Sequence, residues 1–314
     1  MMRELVILSG PTAAGKTALS IELAKRIGGE IISADSMQVY RHMDIGTAKI
    51  TESEMCNVPH HLIDCREPFE EWSVGTFKAE ADRAIAGIYE RGHIPIIVGG
   101  TGFYIQSVLY DVNFSQEPED RSVRTQLEEY YEKNGAVALH DMLKSIDEEA
   151  AQEIHANNVK RVIRAIEFYR VNGRKISEHN KEERMKTSPY NAAYFVLTMD
   201  REKLYSRIDR RVDIMVENGL LDEVRNLKEM GYDRSFVSMQ GLGYKEILAY
   251  LDGEISLEES IDMLKRETRH FAKRQLTWFR RERDVLFIDK DKYSGEEQIL
   301  EEMIRVLKEK NICQ

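Results

Sequence analysis

Gly10-Pro11-Thr12-Ala13-Ala14-Gly15-Lys16-Thr17 matches G-x-x-x-x-G-K-[ST] at every position. The apolar run Leu5–Leu8 precedes it and the helix-patterned Ala18–Arg26 follows, so the loop stands where a strand hands over to a helix. Glycines let the backbone wrap an anion with successive N–H groups pointing inward. The helix N-terminus adds partial positive charge and Lys16 a full one, while Thr17 offers a hydroxyl to Mg²⁺. Residues Gly10 to Thr17 are therefore assigned to a polyphosphate, for which a nucleotide such as ATP is the ordinary ligand.

Working outward, Leu5–Leu8, Glu30–Ser33, His61–Asp64 and Ile94–Val98 read as strands. Ala18–Arg26 and Val74–Arg91 read as the helices between them. This alternation predicts an α/β fold, a P-loop NTPase-like parallel sheet core. From Glu117 to Ser188 the chain is dense in charge, lacks a β-branched strand run and reads as helices. One of these, Val159 to Val171, stops at Asn172-Gly173, a good C-terminal cap. A strand at Tyr194–Thr198, a long helix from Lys203 to Met230 and a last strand at Val285–Ile288 follow. Strands on both sides predict a catalytic core of residues 1–116 and 189–314, with 117–188 as a helical insertion.

With 42% apolar and 32% charged residues in 314, the chain is an ordinary globular protein. No apolar run approaches membrane-spanning length, and Leu5–Leu8 is too short for a signal peptide, so no membrane partner is expected. Cys56, Cys65 and Cys313 form no C-x-x-C pair, which suits reduced thiols in a cytoplasmic protein. His60-His61 lacks partners at zinc spacing. The net charge of −10 argues against nucleic acid until its distribution is considered. Lys160–Lys175 holds six basic residues and one acid, and Lys265–Arg283 holds eight and two. Basic charge confined to two segments can make a local phosphate-binding surface on an acidic chain.

A phosphoryl-transfer enzyme usually places a metal-holding carboxylate at the end of another strand. Here Ile94–Val98 runs into Gly99-Gly100-Thr101-Gly102 without an acid. Ile105 breaks any dinucleotide fingerprint. The nearest strand-end carboxylate is Asp35, at the edge of the sheet where α/β proteins bind ligands.

Several further motifs extend the pattern: Ser33-Ala-Asp35-Ser36-Met37-Gln38-Val-Tyr-Arg41, Met43-Asp-Ile-Gly-Thr-Ala-Lys49, Val98–Gly102 and Lys160-Arg161-Val-Ile-Arg164. Others are Arg207-x-x-x-Arg211, Gln240-Gly-Leu-Gly243-Tyr244 and Arg269-x-x-x-Lys273-Arg274-Gln275-x-x-Trp278-Phe-Arg280. In order and spacing, with the phosphate loop, they resemble the bacterial tRNA dimethylallyltransferase family, from the first strand to about Arg283.

The resemblance implies transfer of a dimethylallyl group from dimethylallyl diphosphate to N6 of the adenosine 3′ of the tRNA anticodon. The phosphate loop would then hold the leaving diphosphate. Lys16, Mg²⁺ at Thr17, Arg207 and Arg211 would neutralise its growing charge. Asp35 would orient the amine and accept its proton, Thr101 would contact the reacting region, and the target base would be flipped into a pocket. The implied tRNA contacts are Asp35, Ser36, Met37, Gln38, Thr101, Arg124, Lys160, Arg161, Arg164, Gln240, Gly243, Tyr244, Arg269, Lys273, Arg274 and Gln275. Trp278 reads more readily as core than as a stacking platform. The partners implied are the anticodon stem-loop and the prenyl diphosphate, with a monomer expected. A P-loop small-molecule kinase would explain Gly10–Thr17 but leave Asp35–Arg41, Gly99–Gly102 and the basic segments without purpose. A non-catalytic RNA-binding regulator would leave the phosphate loop without one.

Overall fold

The computed structural model describes residues 2–113 and 122–314. The chain forms two compact units, one of the residues up to Leu109 together with Ser188–Gln314, the other Tyr110–Thr187. The expected start of the insertion, Glu117, lies outside the described residues.

The larger unit begins with β1 (Arg3–Ser9), α1 (Lys16–Ile27), β2 (Gly29–Ser33), α2 (Glu52–Met55), β3 (His60–His61), α3 (Val74–Glu90), β4 (Ile94–Gly99) and α4 (Gly102–Leu109). The smaller unit holds α5 (Ser122–Ile146), α6 (Glu148–Glu153), α7 (Val159–Asn172) and α8 (Ile176–Met185). The larger resumes with β5 (Tyr190–Thr198), α9 (Arg201–Glu217), α10 (Leu220–Glu229), α11 (Tyr244–Leu251), α12 (Leu257–Phe279), β6 (Val285–Asp289) and α13 (Glu296–Glu309). Its strands form one parallel sheet in the order β3-β2-β4-β1-β5-β6. Central strands of such a sheet are covered on both faces, which is why Leu5–Leu8 and Ile96–Ile97 are apolar without alternation and fully buried.

On one side, Leu8, Ile96 and Phe195 pack with Leu19 and Leu23 of α1 and Leu300 and Leu307 of α13. A second cluster joins Val39, Tyr40 and Met43 to Val212, Leu227, Tyr244, Ile247 and Leu264 of the C-terminal helices. In the smaller unit Leu127, Leu139, Leu143, Val162 and Ile166 make a separate core. There α7 stops at Gly173, whose φ of 67° gives the left-handed cap read from Asn172-Gly173.

Two expected elements are corrected. The strand at His61–Asp64 is only His60–His61, because the chain turns out of extended geometry at Leu62 (φ 63°) and Asp64 (φ 50°). The helix expected from Lys203 to Met230 is broken into α9 and α10 at Asn218-Gly219, where Gly219 has φ 99°. Helical periodicity continues through that break, so periodicity alone hides it.

Near the N-terminal end of β2, Glu30 is buried and accepts four hydrogen bonds. Arg91 donates from Nε (2.8 Å) and Nη2 (2.7 Å), and the rings of His61 and His93 each lie at 2.7 Å. The Arg91 hydrogen bonds, helped by the two histidines, hold this carboxyl far down, at about 2, against its burial. Among the described residues no group of His, Cys, Asp and Glu is placed to hold a metal ion.

Candidate active site

Strand order decides which sequence motifs meet. With β2, β4 and β1 adjacent and parallel, the turns after them come together at the C-terminal edge of the sheet. Those turns carry Asp35, Thr101 and the phosphate loop. Ala34 N–H donates to Val98 O (2.8 Å) and Thr101 N–H to Ala34 O (3.2 Å), tying the β2 and β4 turns directly. The approach is so close that a Cβ on Gly99 would stand 2.2 Å from Ala34 O, which explains the glycine.

The phosphate loop has the backbone its sequence calls for. Gly10 has φ 145° and a Cβ there would meet Leu197 O at 2.8 Å, while Ala13 (φ 64°) and Gly15 (φ 87°) are also left-handed. The Lys16 ammonium folds over the loop and donates to Gly10 O (2.9 Å) and Pro11 O (2.8 Å). Burial, then repulsion from Arg211, push the Lys16 amine down to about 8, with Asp35 pulling the other way. Thr17 is exposed in the first turn of α1. Arg207 Nε donates to Ala13 O (2.9 Å). Arg211, one turn further along α9, has no hydrogen-bond or ion-pair partner among the described residues; burial lowers its pKa first, Asp35 opposes this, and Arg207 adds to it. Lys16, Arg207 and Arg211 thus form a cationic group, and the Asp35 carboxylate acts on both Lys16 and Arg211.

Asp35 spends one oxygen on the chain. Its Oδ1 accepts from Met37 N (2.9 Å) and Gln38 N (3.4 Å), an Asx turn, leaving Oδ2 without a hydrogen bond among the described residues. Gln38 donates to Thr47 O and Ala48 O, both at 3.3 Å, so its amide braces the 44–49 loop.

Several residues expected at an RNA surface make contacts within the chain. Tyr244 is fully buried and its hydroxyl donates to Glu223 Oε1 (2.7 Å); burial and that carboxylate push the phenol well up. Glu223 also accepts from the backbone of Asp44 (2.8 Å), Ile45 (2.7 Å) and Gly46 (3.0 Å). The ring of Tyr244 fills the space a Cβ on Gly46 would need, at 2.6 Å. Gly243 opens α11 with φ 94° and its N–H donates to Glu246 Oε2 (2.9 Å). Exposed Gln240 donates its amide to Arg234 O. Gln275 is 7% exposed. In the smaller unit Arg124 and Arg164 both pair with buried Glu167, at 2.9 and 3.2 Å, whereas Lys160 and Arg161 are exposed at the start of α7.

The basic stripe of α12 divides in two. Arg269 pairs with Asp209 and Lys265 with Asp213, both acids on α9, so these cations are neutralised. Lys273 and Arg274, with His270, Thr277, Trp278 and Arg281, line an open groove of about 370 Å³. Trp278 is not core: it is 36% exposed, its ring lies against Gly102, and it makes an edge contact with Phe103 at 6.1 Å.

Sequence reading missed Lys290, whose Nζ lies 3.3 Å from Ala14 O and 3.1 Å from Glu296 Oε1. It follows the end of β6, so the strand-end rule that singled out Asp35 would have found it.

The family model described as IPP transferase matches residues 38–282. A tRNA dimethylallyltransferase of Lachnoclostridium phytofermentans is 61% identical over 311 residues, covering 99% of each chain. The crystal structure of a full-length tRNA isopentenylpyrophosphate transferase of Bacillus halodurans matches with TM-score 0.74 and 48% identity, over 98% of each chain. A eukaryotic dimethylallyltransferase solved while acting on tRNA matches with TM-score 0.82 and 31% identity, over 95% of this chain and 78% of that one. The chain belongs to the tRNA dimethylallyltransferase, or IPP transferase, family.

Proposed function

We propose that this chain transfers a dimethylallyl group from dimethylallyl diphosphate to N6 of the adenosine adjacent to the 3′ side of a tRNA anticodon. The observation that carries the reading is the sheet edge itself, where a phosphate loop, Lys16, Arg207 and Arg211 stand with Asp35, whose Oδ2 has no hydrogen bond among the described residues. The kinase reading is not favoured. The turn after β4 is Gly99–Gly102, with no acid to hold a nucleotide's metal, and the family is a prenyl-transfer family.

In the proposed reaction the phosphate loop Gly10–Thr17 and the Lys16 ammonium hold the diphosphate, the loop through backbone N–H groups other than that of Thr12, which Gln275 takes. Arg207 and Arg211 take up charge as the bond between the allylic carbon and the diphosphate oxygen breaks. The adenine N6 forms the new C–N bond and loses a proton, which Asp35 Oδ2 accepts. Oδ1, fixed by Met37 and Gln38 N–H, sets the direction of Oδ2. The Thr101 hydroxyl, on the adjacent turn, orients the reacting region.

The exposed hydroxyl of Thr17 suits Mg²⁺, which is bound by few protein ligands and otherwise by water and substrate phosphates. When bound, the ion would stabilise negative charge on the leaving diphosphate. Lys273 and Arg274 of the α12 groove, and Lys160 and Arg161 of the smaller unit, are the cations proposed for tRNA phosphates. The acting unit proposed is the monomer. A cytoplasmic location suits a tRNA substrate, and among the described residues no helix is long and apolar enough to cross a membrane.

The test is transfer of labelled dimethylallyl from its diphosphate to unmodified tRNA with Mg²⁺ and no ATP. Label on N6 of the anticodon-adjacent adenosine is expected. Phosphorylation of a small metabolite from ATP, without prenylation, would hand the site to the kinase.

A further inference from the structure

The two halves of the proposed chemistry sit on separate turns. The diphosphate is held by the turn after β1, and Thr101 belongs to the turn after β4. Their relative placement must be fixed to a fraction of an ångström for one bond to break as another forms. Backbone ladders fix the strands, but they end at Ser9↔Gly99 and leave the turns beyond without mutual pairing.

One side chain spans that gap. Gln275, on α12, accepts from Thr12 N–H through Oε1 (2.9 Å) and donates from Nε2 to Gly100 O (3.0 Å). The amide is buried, and both ends are used on backbone of the two turns. Gly100 leaves no freedom to the arrangement, since a Cβ there would lie 2.1 Å from Gln275 Nε2. One helical turn along, Trp278 closes over Gly102, where a Cβ would stand 2.2 Å from the indole. Thr101 is therefore gripped on both sides by one helix face. That same helix exposes Lys273 and Arg274, which share a groove with Trp278.

We propose that Gln275 is a positioning residue for prenyl transfer: its amide holds the Thr101 turn in register with the phosphate loop. In this proposal both ends of its amide serve backbone and neither serves substrate. Only a carboxamide of this length serves both ends, because one end meets a donor and the other an acceptor. The proposal rests on the prenyl-transfer reading above, and the experiment separates the two.

The test is a double-mutant cycle on kcat with Gln275→Met and Thr101→Ala, read together with KM for dimethylallyl diphosphate, Kd for tRNA and thermal melting. Gln275→Met is expected to lower kcat by roughly 30- to 100-fold, the scale of an ångström-sized misplacement, with KM and Kd within about threefold. Placed on Thr101→Ala, the same change should cost less than about threefold more, because the group it positions is gone. A full, additive loss on that background would overturn the proposal. So would a raised KM at unchanged kcat, which would make Gln275 a substrate contact. Should Gln275→Met melt without cooperativity, Gln275→Glu is read by the same cycle; it keeps the acceptor for Thr12 N–H and loses the donor to Gly100 O. A wild-type enzyme that fails to prenylate tRNA would sink the functional reading instead.

Discussion

Raising the pH should loosen the grip on the prenyl diphosphate, by an amount the site fixes in advance. Burial and Arg211 disfavour the charge of the Lys16 amine and push it down to about 8. An alkyl diphosphate binds the ammonium form, so its apparent affinity scales with the fraction of Lys16 that is protonated. That fraction is roughly three quarters at about pH 7.5 and roughly 3% at about pH 9.5, a ratio of about 25-fold. The sign follows from the lowered pKa: affinity is full below it and falls about tenfold per pH unit above it. Calorimetric titration of dimethylallyl diphosphate into the enzyme between these limits measures the slope, with Lys16→Met as control. The control should bind more weakly and show almost no pH dependence. A flat wild-type profile, or the same slope in the control, would show that Lys16 does not hold the diphosphate as a titrating cation.

Replacing Asp35 by Asn should lower kcat by roughly 10²-fold or more in single-turnover prenylation, since the amide keeps the Asx turn but takes no proton; a near-normal rate would reduce Asp35 to a turn former. Arg161→Glu should weaken tRNA binding and reduce the slope of log K against log salt by about one; Arg164 is unsuited to this test because it pairs with buried Glu167. Glu30→Gln should cost on the order of 1–2 kcal/mol at neutral pH, less than the full shift implies because Arg91 is half exposed and screened by solvent. Because the Glu30 carboxyl is depressed, its stabilisation is complete above about pH 4.5 and lost towards about pH 2. Acid melting curves of the two proteins should therefore converge as pH falls, and parallel curves would remove Glu30 from the acid transition.

What was legible in the chain was local. A strand, a glycine loop and a helix in succession state their own geometry, and Gly10–Thr17 adopts it. Asn172-Gly173 likewise announces a cap made within a few residues. Asp35 and Thr101 could be flagged as strand-end groups, but their proximity depends on β4 lying between β2 and β1, which no short window contains. Distant pairings were illegible for the same reason. The sequence offers Gln275 as one polar residue in a basic helix and gives no sign that its partners are 263 and 175 positions away. Arg269 and Lys265 read as free cations until α9 brings Asp209 and Asp213 beside them. Charge counted along a chain overstates charge presented to a partner, and the excess is what folding pairs internally.

Glu223 illustrates how narrow the chemical choice at one position can be. Its two oxygens receive Asp44, Ile45 and Gly46 N–H and the Tyr244 hydroxyl, all donors, so only a group with acceptors alone can stand there. Glutamine has the right shape and the wrong polarity, since its NH₂ would face N–H groups. Aspartate has the right polarity and falls one methylene short. Drift at position 223 is thus closed off in both directions at once, and a lineage could leave glutamate only by rebuilding the 44–46 turn and Tyr244 with it.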